Sequence, residues 1–569
     1  MERGFQHYSI GDASNNAPQP LSLSDALSRI NIQQRPKDTQ SGLYLAATVA
    51  QNRRDWAQSW QNFSSLNDRF QDTPDIILKS MSLALANGEF DKAAALALSF
   101  DKKHLSNDAI NEHETFQFAR MFLALIAIKE NRNDDAHTHL NAMENTALMR
   151  LAGPILSTWI DVSFDKKSIS KSIKGLSPIQ IYYKALAAEY NDQAETAVAI
   201  MDDLDISTIT GAKTKNIIAF YIRHGQKDKA LGIAKNDNLS DVTTALSANG
   251  YNPPPNATLH MNGINAALAL AFEDFSLALI GERATDSALL FARMSEFLSP
   301  EYKEPALIVA DIFDFHGQEN RALDSYKTIS HSHEKYDISI AKQIDIHTKT
   351  DDFENAKDVI DQALKYHVNN AYFNYLAGNV YRGLKDYEKS IMFFSKAETL
   401  GKQKNNGVLP TRLLPLYYAR AISYDLGGQW DKAEVDLHTA MDTFPNNPLI
   451  LNYLGYAYAD RNIHLDKAKE YISMAVMAAS NDPYVIDSMG WILYRGGEYK
   501  KAIGFLERAA KMRPYHMVIN DHLGDAYWKL GRKLEAHYMW QRAARYFDSD
   551  DEEQVRMIEE TRKKIKSGL

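Results

Sequence analysis

Two histidine pairs are the tightest groupings of metal-ligating side chains in the sequence, His137 with His139 and His331 with His333. A spacing of two sends helical side chains to different faces. Neither pair therefore holds a metal unless its segment is extended, and both read as solvent-exposed or loop histidines. An acidic run, Asp548, Asp550, Asp551, Glu552 and Glu553, has the composition of a cation site. Acids also suit the first turn of a helix, and a helix start with a solvated face is the expected role. The chain has no cysteine, which removes thiolate nucleophiles, disulfides and Cys-held metals. No HExxH, GxSxG, Walker loop, EF-hand loop or GxGxxG occurs. Sequons at Asn62, Asn238 and Asn256 matter only in a glycosylating compartment. The reading is a protein without catalytic residues, metal or cofactor. The alternative is an enzyme with an unrecognised site in the weakly patterned region 140–300.

Hydrophobic residues make up 45% of the 569 and charged residues 24%, ordinary values for a folded chain. Lys plus Arg total 64 against 73 Asp plus Glu, a net charge of -9 that disfavours a generally basic nucleic-acid binder. No run approaches the ~18 consecutive apolar residues of a membrane span, so no direct membrane insertion is expected. The N-terminus shows neither the apolar core of a signal peptide nor a lipoprotein Cys. As written the chain reads as cytoplasmic, or as periplasmic or envelope-associated if a leader has been removed or omitted.

The elements that would position any site announce themselves by repetition. Gly490 and Gly524 are 34 residues apart, as are Gly497 and Gly531, Ala502 and Ala536, and Ala509 and Ala543. The pattern is steric. A small residue in a first helix lets a second helix cross closely, a turn glycine takes positive φ, and alanines in the second helix sit at its closest approaches. Leu493, Tyr499 and Leu506 fill the gaps in one repeat, and Tyr527 and Trp540 in the next. Lys533 replaces Tyr499 there, and Leu534 is expected to supply the contact instead. Upstream copies centre on Gly455 with Ala468, on Trp430 with Ala433, and on Gly378 with Tyr387. The Gly455 copy has one extra turn residue.

The spacing predicts a tail over 1–38, degenerate helical repeats over 39–246, a Pro-rich break over 247–263 and more degenerate repeats over 264–370. Five regular repeats follow over 371–546, and a capping helix over 547–569. The triple proline Pro253 to Pro255 forbids a continuous helix and is expected to divide the array into two halves. The fold class is all-α, an α-solenoid of helical hairpins.

These residues resemble the tetratricopeptide-repeat (TPR) family. IDSMGWILYRGGEYKKAIGFLERAA and INDHLGDAYWKLGRKLEAHYMWQRA are similar, more narrowly, to long bacterial TPR proteins of the alphaproteobacterial type. The resemblance implies a right-handed superhelix whose concave face is lined by the first helix of each hairpin. It also implies a non-enzymatic scaffold that binds a protein or extended peptide there. The alternative it implies is a regulatory or assembly subunit of a bacterial envelope enzyme complex.

Carried onto this sequence, the inward positions are Tyr484, Asp487, Trp491 and Tyr494, then Asp521, Asp525 and Trp528. Asn452 and Tyr456, Tyr418 and Asp425, and Tyr375, Asn379 and Arg382 precede them. Rings would anchor a peptide and polar groups would fix its backbone. Asp487, Asp521 and Asp525 have few structural duties in this pattern and would suit a basic ligand. A two-carboxylate clamp known in the family is not expected, because Tyr375 stands where its lysine would be.

Overall fold

The computed structural model describes residues 40–69, 73–104, 114–143, 147–164, 167–209, 211–237, 239–247, 263–404, 408–547 and 552–569. The expected tail over 1–38, nearly all of the Pro-rich break and most of the acidic run lie outside them. The described residues form helices joined by turns and short loops, with no strand among them, and divide into two compact units at Lys335 and Tyr336.

The first unit contains α1 (Gln40–Asn52), α2 (Trp56–Arg69), α3 (Pro74–Ala86), α4 (Phe90–His104), α5 (Glu114–Lys129), α6 (Asn133–Asn141), α7 (Ala147–Ser163) and α8 (Pro178–Tyr190). It continues with α9 (Ala194–Asp202), α10 (Gly211–Arg223), α11 (Lys227–Asn236), α12 (Ser240–Ser247), α13 (Ile264–Gly281), α14 (Thr285–Leu298), α15 (Glu304–Phe315) and α16 (Glu319–Tyr326).

The expected division at 247–263 does not occur. Helices α13 and α14 pack back onto α3, α5 and α7, and one core runs from Ile77 to Tyr302. Phe297 lies 5.0 Å from Phe122 and 5.8 Å from Phe90, and Phe291 lies 5.7 Å from Phe118. Proline stops a helix, but it does not stop the helices on either side from burying their apolar faces against each other.

Among the described helices, α13 alone is long and apolar enough to cross a membrane by length and composition, though Asn265, Glu273, Asp274 and Ser276 interrupt its apolar run. Its 18 residues have a mean hydropathy of 1.5, and 61% of it is buried inside the structure. It carries Glu273 and Asp274 into that interior. Asp274 accepts from Tyr183 Oη at 2.6 Å and pairs with Lys213 at 2.7 Å. Glu273 accepts from Tyr302 Oη.

The second unit comprises α17 (Tyr336–Lys349), α18 (Phe353–Tyr366), α19 (Ala371–Gly383), α20 (Tyr387–Lys404), α21 (Leu416–Leu426), α22 (Trp430–Thr443) and α23 (Pro448–Asp460). Then come α24 (Leu465–Ala478), α25 (Pro483–Arg495), α26 (Tyr499–Met512), α27 (Met517–Lys529), α28 (Lys533–Arg545) and α29 (Glu552–Ser567). The starts of the first helices are written in the sequence. Asp482 Oδ1 accepts from the backbone of Tyr484 at 2.8 Å, and Asn447 and Asn370 cap α23 and α19 in the same way. Pro448 and Pro483 fill first-turn positions that need no N–H.

Four of the crossings in this unit pair a glycine with a large side chain. A Cβ on Gly490 would stand 2.5 Å from Leu506, and one on Gly524 2.5 Å from Trp540. Gly378 meets Phe394 and Gly455 meets Ile472 at 2.6 Å. Ala502, Ala509, Ala536 and Ala543 are fully buried. Gly490→Leu should therefore overpack the α25–α26 crossing by about 1–3 kcal/mol. Equal thermal melts of variant and parent would contradict this packing.

Gly497 and Gly531 take the expected positive φ, both 76°. The extra residue after Gly455 is absorbed by Asn462 at 55° and His464 at 46°. Leu534 is 86% exposed, so it does not replace Tyr499.

Candidate functional site

First helices of successive hairpins touch one another: α17 with α19, α19 with α21, α23 with α25, and α25 with α27. The second helices make no comparably close approach among the described residues. A row whose first helices are the more closely spaced curves toward them, so they form the inner face of this unit.

On that face the nine expected residues separate into two groups. Tyr484, Trp491, Tyr494 and Trp528 are half-buried, whereas Asp487, Asp521, Asp525, Asn452 and Tyr456 are buried. Trp491 is sandwiched. Its ring stacks on His522 at 4.0 Å and on Tyr494 at 4.9 Å, with interplanar angles of 14° and 13°. Its Nε1 is buried without a hydrogen-bond partner among the described residues. Tyr484 meets His516 edge-on at 5.2 Å. Asn452 is 1% exposed and its Oδ1 has no partner among the described residues.

The aspartates correct the sequence reading, because each has a structural duty. Asp487 Oδ2 lies 2.9 Å from His522 Nδ1, and the carboxylate pushes that imidazole up against the opposing effect of burial. Asp521 accepts from Thr561 Oγ1 at 2.8 Å and Lys564 Nζ at 2.6 Å. Asp525 accepts from Trp540 Nε1 at 2.8 Å and Lys564 Nζ at 2.9 Å. Burial, with Asp521 alongside, pushes the Asp525 carboxyl up to about 6.

Lys564 and Thr561 belong to α29, the expected capping helix. It also seals its own end with Met557 and Ile558 against Met517, Val518 and Ala543. Gly568 packs on the Trp528 indole so closely that a Cβ there would collide with the ring. Asp521, Asp525 and Trp528 thus lie under α29, and a basic ligand has no free carboxylate to meet at those positions. Asp425 is likewise held, by Arg461 and by Tyr453 Oη at 2.9 Å.

Sequence reasoning missed Lys564 and His522. Lys564 sits 43 residues from Asp521, outside the repeat pattern. His522 is adjacent to a named aspartate but reaches α25, the first helix of the preceding hairpin, a contact that spacing within one helix does not reveal. The histidine pairs are not a centre either. His333 lies 3.5 Å from Glu304, and His139 is buried 3.8 Å from Asp101, not exposed as expected. Among the described residues no three His, Cys, Asp or Glu side chains converge as a metal site.

Stacked helical hairpins with a small-residue crossing and an aromatic, polar inner face define an α-helical repeat protein of the interaction type. Residues 342–405 match the family model described as tetratricopeptide repeat. A TPR repeat-containing protein of Pseudomonas aeruginosa is 37% identical over 112 residues. That match covers 20% of this chain and spans 19% of the relative.

Among solved structures, a tetratricopeptide repeat protein from Parabacteroides merdae matches at 13% identity and a TM-score of 0.37. It covers 46% of this chain and 98% of its own. Yeast Tom70 matches at 13% identity and 0.28, covering 93% and 96%. Scores this low do not equate the overall course of two chains. Proteins of this repeat generally mediate protein–protein interaction and are typically non-enzymatic.

Proposed function

We propose that the inner face of the second unit binds an extended segment of a partner protein, and that the chain acts as a scaffold through it. The observation that carries this reading is a set of half-buried aromatic rings on one first helix of the inner face, Tyr484, Trp491 and Tyr494. Tyr484 and Tyr494 offer ring surface to the side chains of an extended segment, and the Trp491 stack holds Tyr494 in place.

The test is site-resolved photocrosslinking in the native cell, with benzoylphenylalanine in place of Tyr484 or, separately, of Leu534 on a second helix. A protein adduct from position 484 and none from 534 is the expected result. Adducts from 534 alone, or the same adducts from both, would contradict the reading.

A further inference from the structure

The outer face of the second unit changes charge along the row. In each of the last four second helices, four residues spaced four, four and three apart form one stripe opposite the buried alanines. On α22 and α24 the charged members of that stripe are acids, Asp431 with Asp442 and Asp466 with Glu470. On α26 and α28 they are bases, Lys500, Arg508 and Lys511, then Arg542 and Arg545. Residues 499–547 carry ten Lys and Arg against four Asp and Glu, in a chain whose net charge is -9. Two of the four acids, Asp521 and Asp525, are buried and met by Lys564. Lys500, Lys511, Arg542 and Arg545 make no ion pair among the described residues, and none of the four is buried.

The cations surround protruding apolar groups. Leu534 is 86% exposed and Tyr538 60%, on the α28 stripe two turns and one turn before Arg542. Tyr515, 41% exposed in the turn before α27, has the Arg542 guanidinium 5.9 Å from its ring and the Tyr546 ring at 4.8 Å. Arg545 lies 5.8 Å from the Tyr546 ring. Bases, phenol rings and an aliphatic side chain thus stand on one outward ridge.

We propose that the outer face of α26 and α28 docks on an anionic lipid bilayer, lying on the headgroups and spanning nothing. The cations meet the headgroup phosphates, while Leu534, Tyr538 and Tyr515 enter the boundary between headgroups and acyl chains. A nucleic-acid backbone would offer the cations phosphates and offer Leu534 nothing. The docking surface is independent of the groove reading, because it uses second helices and leaves the first helices to a partner protein. Each Lys or Arg held near an anionic surface strengthens binding about fivefold, and salt screens the attraction.

The experiment sediments the full chain with sucrose-loaded vesicles of phosphatidylcholine containing about one-quarter phosphatidylglycerol, and with phosphatidylcholine vesicles, at about 0.1 M salt. Wild type should partition at least about 20-fold more strongly onto the anionic vesicles. Arg542→Gln with Arg545→Gln should lose about 20-fold on them. Lys432→Gln with Lys467→Gln removes the same charge from exposed positions of α22 and α24 and should bind as wild type does. The chain has no cysteine, so Leu534→Cys accepts a single nitrobenzoxadiazole label, and Val435→Cys on α22 accepts one as a control. Emission from position 534 should shift to the blue on anionic vesicles, and emission from 435 should not.

Equal partition onto both vesicles would overturn the docking surface. So would an arginine variant that binds as tightly as wild type, an equal loss in the lysine variant, or no shift at 534. Failure to bind either vesicle would overturn it too and turn the search for this face's partner to an acidic protein.

Discussion

Lys564→Ala should destabilise the C-terminal end of the second unit by about 3–5 kcal/mol, the usual result of removing one partner from a buried ion pair. The lysine is the shared counter-ion of Asp521 and Asp525, whose side chains are 8% and 6% exposed. Without it, two buried carboxylates face each other. A repeat array opens from its ends, so the loss should be local. Native-state hydrogen exchange should show amides of α27 and α29 losing at least a hundredfold in protection, while α19 is unchanged. Asp521→Asn with Asp525→Asn in the same chain should restore most of it. Undiminished protection in Lys564→Ala would mean that α29 is held by Met557 and Ile558 alone.

The second large effect is a pH dependence in the first unit. Burial pushes the Glu273 carboxyl up from 4.5 to about 7, with Asp274 adding to the rise while Tyr302 and Lys213 oppose it. A carboxyl raised on folding keeps a proton that the unfolded chain releases. Its stabilising contribution is whole below pH 4.5, falls as pH rises toward 7, and is gone above that. The difference corresponds to about 3 kcal/mol. Glu273→Gln keeps an oxygen to accept from Tyr302 Oη and carries no charge. It should flatten the decline in the urea midpoint between pH 5 and pH 7.5 and leave the variant more stable than wild type at pH 8. A wild-type midpoint that rises over that window, or a variant that tracks wild type throughout, would show that Glu273 is not a strained acid.

Both effects arise where the sequence was least legible, and the reason is physical. Hairpin rhythm is local. Gly490 with Leu506 and Gly524 with Trp540 are sixteen residues apart, so their steric logic repeats at a fixed period and can be read. The capping residues Asp482 and Asn447 beside Pro483 and Pro448 are equally local. Turns at Lys385 and Asn462 were harder, because side chains other than glycine take the left-handed conformation there.

Contacts between distant elements have no period. Lys129 Nζ reaches the Phe297 carbonyl across 168 residues, and such contacts close the first unit over the stretch where prolines had suggested a division. The candidate site shows the same split. The family resemblance implied Tyr484, Trp491 and Tyr494 as inward positions, but Lys564 and His522 occupy the aspartates named beside them.

The central claim is that a peptide lies along the first helices of the second unit. Hydroxyl-radical footprinting of the full chain, with and without a saturating dodecapeptide selected on it from a random phage library, tests it most directly. The account predicts that bound peptide lowers oxidation of Tyr484, Trp491 and Tyr418, while Leu534 and Phe315, which are 86% and 77% exposed, are oxidised as before. Protection of Leu534 or Phe315 with no change at Trp491 and Tyr418 would place the binding surface elsewhere and contradict the account.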